Sequence, residues 1–205
     1  MEKIYYYPVW IRIWHTINAL MCLLLIITGM SMQYSSIENP FIRFDIAVAW
    51  HNVGGIVITI NYFIFLIGNK IFTNGKHYTI HWKGFWPSLK NQFTYYMYGI
   101  FSGKKAPYPI NSERKFNPLQ QFSYFLIMYG IVPVLFVTGW AMLFPGVVVN
   151  DFFGSKGLFV SDLLHVISGF IVSLFMIVHI YFCTIGYKVS SHFKAMATGF
   201  HEVHE

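Results

Sequence analysis

Four stretches of this chain are apolar for longer than a soluble domain requires: roughly residues 9–33, 44–68, 119–144 and 159–186. Hydrocarbon offers no water to satisfy backbone amides and carbonyls, so a segment that crosses it must be helical, and about 20 apolar residues suffice for a ~30 Å layer. The expected fold is an all-α membrane protein, a four-transmembrane-helix bundle forming one integral-membrane domain over residues 1–205. Composition agrees: with 56% hydrophobic and only 11% charged residues, too few polar side chains exist to cover a water-facing surface. The first apolar run continues from Val9 to Met32 with no small-residue cleavage pattern, so it reads as a span and not as a removable signal.

An even number of spans puts both ends of the chain on one side. The short connections 34–43 and 145–158 hold only Arg43 and Lys156 as basic residues. The other twelve lie in the N-terminal segment, the long 69–118 connection and the C-terminal tail. The positive-inside tendency then makes the termini and the long loop cytoplasmic, in a multi-pass protein of a bacterial inner membrane. The formal charge of +6 is spread between apolar runs and forms no compact patch, which points to membrane lipids and away from nucleic acid. In the long connection, "GFWPSLKNQFTYYMYGIFSG" (84–103) mixes aromatics with amides and a lysine, and Pro87 suits a first helical turn. It is expected to be an interfacial helix on the cytoplasmic face.

Ionisable side chains inside spans are costly and are functional candidates by default. Four of the nine histidines are placed there: His15 near the start of span 1, His51 near the start of span 2, and His165 and His179 near the two ends of span 4. The fourteen steps from His165 to His179 fall only ~40° short of four helical turns and rise ~21 Å, so both imidazoles share one face at two depths. Depth pairs His15 with His179 and His51 with His165. Neutral imidazole is a good haem-iron ligand, and bis-histidine ligation leaves no open position for dioxygen or substrate. Such a pair carries electrons. Gly55 and Gly169 stand four residues after His51 and His165, where a missing side chain either admits a flat macrocycle or lets helices pack closely.

Other chemistries lack their ligands. Zinc or di-iron would bring carboxylates or thiolates to the same depth, yet Asp45, Asp151 and Asp162 sit at span ends. Cys22 and Cys183 lie within apolar runs, and no C-x-x-C-H is present for covalent haem attachment. His77 and His81 are four apart in the long loop and read as interfacial residues. His192, His201 and His204 belong to the tail, and "HEVHE" is not the H-E-x-x-H of metalloproteases.

The stretches "VWIRIWHTINALMCLLLIITG", "WHNVGG", "KFNPLQQFSYFLIMYGIVPVLFVTG" and "DLLHVISGFIVSLFMIVHIY" together resemble the di-haem cytochrome b subunits of bacterial respiratory oxidoreductases. That family includes formate dehydrogenase gamma, the cytochrome b of nickel–iron hydrogenase and that of thiosulfate reductase. The resemblance implies two haems b, the inner one held by His15 and His179 and the outer one by His51 and His165. It implies exchange of electrons between menaquinone or ubiquinone and a periplasmic redox subunit. That subunit would carry iron–sulfur, molybdopterin, hydrogenase or multihaem cytochrome c chemistry, with substrate catalysis on that other chain. It also implies a quinone site beside the inner haem, where Asn117, Gln120 and His179 are the candidates. Asn117 equally reads as a helix N-cap before Pro118. Arg114 and Lys115 are expected at the wet, basic face, within reach of the quinone or of haem propionates. Two readings of other classes compete with this one: a non-respiratory haem-bearing membrane anchor, and a histidine-relay transporter.

Overall fold

The computed structural model describes residues 2–36, 38–109, 114–148, 151–152, 155–185 and 188–203. In chain order these form β1 (Glu2–Tyr5), α1 (Val9–Tyr34), α2 (Phe44–Ile71), α3 (Phe85–Thr94), α4 (Pro118–Leu126), α5 (Val132–Leu143), β2 (Asp151–Phe152), β3 (Ser155–Lys156), α6 (Gly157–Thr184), α7 (Ser191–Thr198) and β4 (Phe200–Val203). Four spans are long and apolar enough to cross a membrane: α1, α2, the continuous Pro118–Leu143 segment, and α6. Their edges fall within about three residues of those read from the sequence.

The third span is α4 and α5 joined by a π-helical turn over Ile127–Ile131. Pro133 follows at once. Proline has no N–H to give and its ring crowds the carbonyl four residues back, so a wider turn ahead of it relieves both problems without ending the helix. The start of this span is fixed by a capping box. Asn117 Oδ1 accepts from the Gln120 amide at 2.9 Å, and Gln120 Oε1 accepts from the Asn117 amide at 3.1 Å.

Chain contacts divide the molecule into two compact units. One comprises residues 9–67 and 131–182 and contains most of the four spans. Its outward faces are apolar: Val137, Phe170 and Ile177 are about two-thirds exposed or more, as suits lipid-facing side chains. Its interior holds Ala47 and Phe65, both fully buried, with Trp14 stacked on Phe65 at 4.5 Å. Several of its buried polar groups are tied across helices. Trp14 Nε1 donates to the Asn61 carbonyl at 2.9 Å while Asn61 Nδ2 donates to the Trp14 carbonyl at 3.1 Å, a reciprocal tie between α1 and α2. Trp140 Nε1 donates to Thr59 Oγ1 at 3.3 Å, linking α5 to α2. In hydrocarbon each such bond contributes roughly 0.6–2 kcal/mol to helix association.

The second unit comprises residues 1–8, 68–130 and 183–205. β1 and β4 pair antiparallel within it, with Glu2 opposite Val203 and Tyr5 opposite Phe200. Gly199, at φ +90°, makes the turn into β4, and a Cβ there would press on the ring of Tyr5 and the Tyr7 carbonyl. The segment expected to be an interfacial helix is helical over Phe85–Thr94. It continues through a π turn at Tyr95–Gly99 and a 3₁₀ turn at Ile100–Ser102 before Gly103, at φ +66°, ends it.

Candidate functional site

All four histidines picked out by depth lie in the unit that contains the spans, and they come together in the expected pairs. His15 of α1 and His179 of α6 have ring centroids 6.3 Å apart, and His51 of α2 and His165 of α6 have them 6.1 Å apart. A metal–imidazole bond is about 2 Å and the ring centre lies roughly 1.1 Å behind the nitrogen, so imidazoles on opposite sides of one metal have centroids ~6.3 Å apart. Both pairs match that span. Among the described residues, no group of three or more His, Cys, Asp or Glu is assembled that would build a zinc-like cage, so each pair brings two imidazoles together. The remaining equatorial ligands are what a haem brings with it.

The glycine spacing now has a sharper meaning. A Cβ built on Gly55 or on Gly169 would meet nothing within 4 Å. Close helix packing would put neighbouring atoms there, so these two glycines are not close-packing contacts. The glycines that do approach another helix are different ones. A Cβ on Gly29 would lie 3.4 Å from His51 Cε1, one on Gly139 would lie 3.2 Å from His165 Cε1, and one on Gly54 would lie 3.2 Å from Leu25 Cδ2.

Different side chains flank the two pairs. His51 Nδ1 lies 2.9 Å from Thr28 Oγ1, and His165 Nδ1 lies 3.0 Å from Thr138 Oγ1. His15 instead meets the edge of Trp14 at 6.4 Å, and His179 stacks on Phe175 at 5.8 Å with an interplanar angle of 18°. Thr28, Thr138 and Asn61 escaped the sequence reading because a hydroxyl or an amide in a span usually bonds its own backbone.

In the second unit the candidates named with the quinone behave as follows. Asn117 is buried, and besides its capping role its Nδ2 donates to the Tyr96 hydroxyl at 3.0 Å. Gln120 is its partner in the capping box, and the next residue, Gln121, donates to the carbonyls of Thr79 at 2.7 Å and His77 at 3.3 Å. Lys115 departs from expectation: it is 3% exposed and does not sit at a wet face. Its ammonium donates to Asn74 Oδ1 at 2.9 Å and rests 4.5 Å from the centre of the Tyr7 ring, so an amide dipole and a π-face stand in for the missing water. Burial lowers its pKa from the ordinary value to about 8. Burial, with the charges of Lys115 and Lys76, lowers His77 to about 4, and burial first pushes the Tyr7 phenol up to about 12. Arg114 lies over the Tyr108 ring at 5.3 Å. His77 falls in a 3₁₀ turn (Thr73–Tyr78) and His81 in irregular chain beyond it, so the pair does not share an α-helical face. His192 and His201 stack at 5.6 Å, and His204 lies outside the described residues.

Sequence comparison adds kinship to this geometry. The sequence model of the family described as prokaryotic cytochrome b561 matches residues 6–199. A cytochrome of Escherichia coli (strain K12) named YdhU is 34% identical over 200 residues, covering 98% of this chain and 75% of the relative. A protein of Rhodobacter capsulatus named as a Ni/Fe-hydrogenase B-type cytochrome subunit is 25% identical over 199 residues, covering 87% of this chain and 73% of the relative. No solved structure matches the chain.

Proposed function

Because this chain belongs to the prokaryotic cytochrome b561 family, we propose that it is the di-haem, quinone-reactive membrane subunit of a respiratory oxidoreductase, passing electrons between the quinone pool and a periplasmic redox subunit. The coarser part of that statement stands on kinship: it is a multi-pass cytochrome b membrane subunit of the kind found in hydrogenase-like systems. Haem b supplies one-electron transfer when bound. The chain's contribution is to hold it. In this reading His15 and His179 would hold one haem and His51 and His165 the other, with Gly55 and Gly169 leaving room beside the second. The ~21 Å of helix between His165 and His179 covers most of the hydrocarbon thickness, a distance that one haem would leave uncrossed.

The observation that carries this reading is the agreement of both histidine pairs, at 6.3 and 6.1 Å, with the span of trans imidazoles on one metal. The pyridine haemochrome assay on purified protein tests it. Two haems per chain are expected, and one or none would defeat the di-haem statement.

Quinone exchange needs donors for carbonyl oxygens. Asn117 and Gln120 are proposed to supply them at the cytoplasmic end of the third span, with Arg114 and Lys115 as the nearby cations in sequence. The inner-membrane location and cytoplasmic termini belong to the same proposal, supported by the distribution of lysine and arginine. Quinol-driven haem reduction in liposomes separates this function from a transporter or a simple anchor, both of which predict none. If Asn117→Leu leaves quinol oxidation and inhibitor response unchanged, Asn117 is a helix cap and nothing more.

A further inference from the structure

Two dipeptides on different helices do the same thing to two different histidines. In "IITG" of α1, Thr28 reaches His51 of α2 and Gly29 lies against the same ring. In "FVTG" of α5, Thr138 reaches His165 of α6 and Gly139 lies against that ring. Both threonines are buried, at 1% and 5% exposure.

The direction of these hydrogen bonds follows from counting protons. A hydroxyl has one to give. Thr28 Oγ1 gives its proton to the Leu24 carbonyl at 2.7 Å, with Leu25 O farther off at 3.3 Å. Thr138 Oγ1 gives its own to the Val134 carbonyl at 2.7 Å, with Leu135 O at 3.2 Å. Each oxygen is left with lone pairs only, so the histidine Nδ1 is the donor, and its proton is shared with the backbone of Leu25 at His51 and of Leu135 at His165. An imidazole that carries its proton on Nδ1 has its free lone pair on Nε2, the nitrogen a metal needs.

We propose that Thr28–Gly29 and Thr138–Gly139 are paired positioning elements for the His51–His165 site, in which the hydroxyl fixes the tautomer and the glycine lets the ring lie against the helix backbone. The proposal rests on the assignment of His51 and His165 as haem ligands and deepens it. The threonines touch neither metal nor macrocycle in this scheme and act through the histidines. Their loss is therefore a loss of orientation and of donor strength at Nε2. Outer partners of metal-ligating histidines typically contribute about 10- to 100-fold to metal affinity. With the hydroxyl gone, Nδ1–H keeps only the backbone of Leu25 at His51 or of Leu135 at His165; losing one of two acceptors makes imidazole a weaker electron donor, which favours the reduced iron and raises its midpoint potential.

The test uses full-length protein carrying Thr28→Val, Thr138→Val, Thr28→Ser, Thr138→Ser or Gly139→Ala. Readouts are haem-to-protein ratio, low-temperature reduced-minus-oxidised spectra, electron paramagnetic resonance of the ferric form and potentiometric titration. Each valine variant is expected to weaken retention of a single haem by about 10- to 100-fold and to raise its potential. The affected component should be the one that His51→Ala removes, while the component that His15→Ala removes stays unchanged. Serine keeps the hydroxyl and should restore both values. Gly139→Ala keeps the hydroxyl but crowds Cε1, and it should shift the resonance of that same component, which tests the idea even if a valine variant fails to accumulate. Valine variants with wild-type ratio, potential and resonance, or a Gly139→Ala protein with an unshifted signal, overturn the proposal and leave the di-haem reading intact. Wild-type protein with fewer than two haems refutes the di-haem reading itself.

Discussion

The His51–His165 pair and the His15–His179 pair share one helix and almost one spacing, but the means of holding them differ. At the first, each histidine Nδ1 meets a threonine hydroxyl, with the backbone of Leu25 or Leu135 beside it. At the second, the rings rest against Trp14 and Phe175, and Trp14 is itself locked by its hydrogen bond to Asn61 and its stack on Phe65. A hydroxyl beside Nδ1 bears on which nitrogen carries the proton, whereas an aromatic neighbour bears on the plane of the ring. The lesson is that equal ligand sets need not give equal sites.

The harshest way to break the comparison is to remove a ligand. His51→Ala and His15→Ala should each abolish one of two spectrally distinct haems, halving the haemochrome yield, and the two difference spectra should not coincide. Coincident spectra would mean that the pairs do not act separately.

Next in size are Gly55→Ala and Gly169→Ala. Their added methyl groups meet no protein atom within 4 Å, so the haem-free chain should keep its thermal stability while retention of the His51–His165 haem falls. Undiminished haem content in both would assign the open space to something else.

Trp14→Phe should act more gently, and on the opposite pair. It removes one buried hydrogen bond, costing about 1 kcal/mol in thermal or denaturant unfolding, and it should broaden only the signal that His15→Ala removes. A change in the other signal would show that the two sites are coupled.

The smallest effect comes from acid. His77 has a folded pKa of about 4, below the ordinary ~6.5 of a histidine in an unfolded chain. The unfolded chain therefore binds the proton first, and stability present above pH ~6.5 is lost as pH falls towards 4. Lys115, with a folded pKa of about 8, gives a rise in stability between pH 8 and ~10.5 by the same sign. Melting curves across these windows should shift while the ratio of the two haem signals holds, since neither residue belongs to a histidine pair.

The spans and the histidine pairs were legible in the sequence because apolar length and helical periodicity are local properties. Helical structure over residues 85–102 was legible for the same reason. What escaped needs a partner far away in sequence. The tie between Trp14 and Asn61 crosses 47 positions, and Lys115 finds Asn74 across 41. Lys115 was expected at a wet surface because a lysine beside an arginine usually stays there. Nothing local announces an amide and a tyrosine ring folded over it. The threonines left one trace: Thr-Gly occurs at the same place in two spans, a repeat of two residues that gains meaning only once a histidine stands opposite each copy.

The pairing of β1 with β4 also sets a timetable. Residues 2–5 are synthesised some 200 residues before their partners at 200–203, a delay of roughly 10–40 s at about 5–20 residues per second. Through all four insertions β1 is without this partner, which exists only once residues 200–203 have been made. A pairing between segments so far apart cannot guide the insertion of the spans and forms only after α6 has been made.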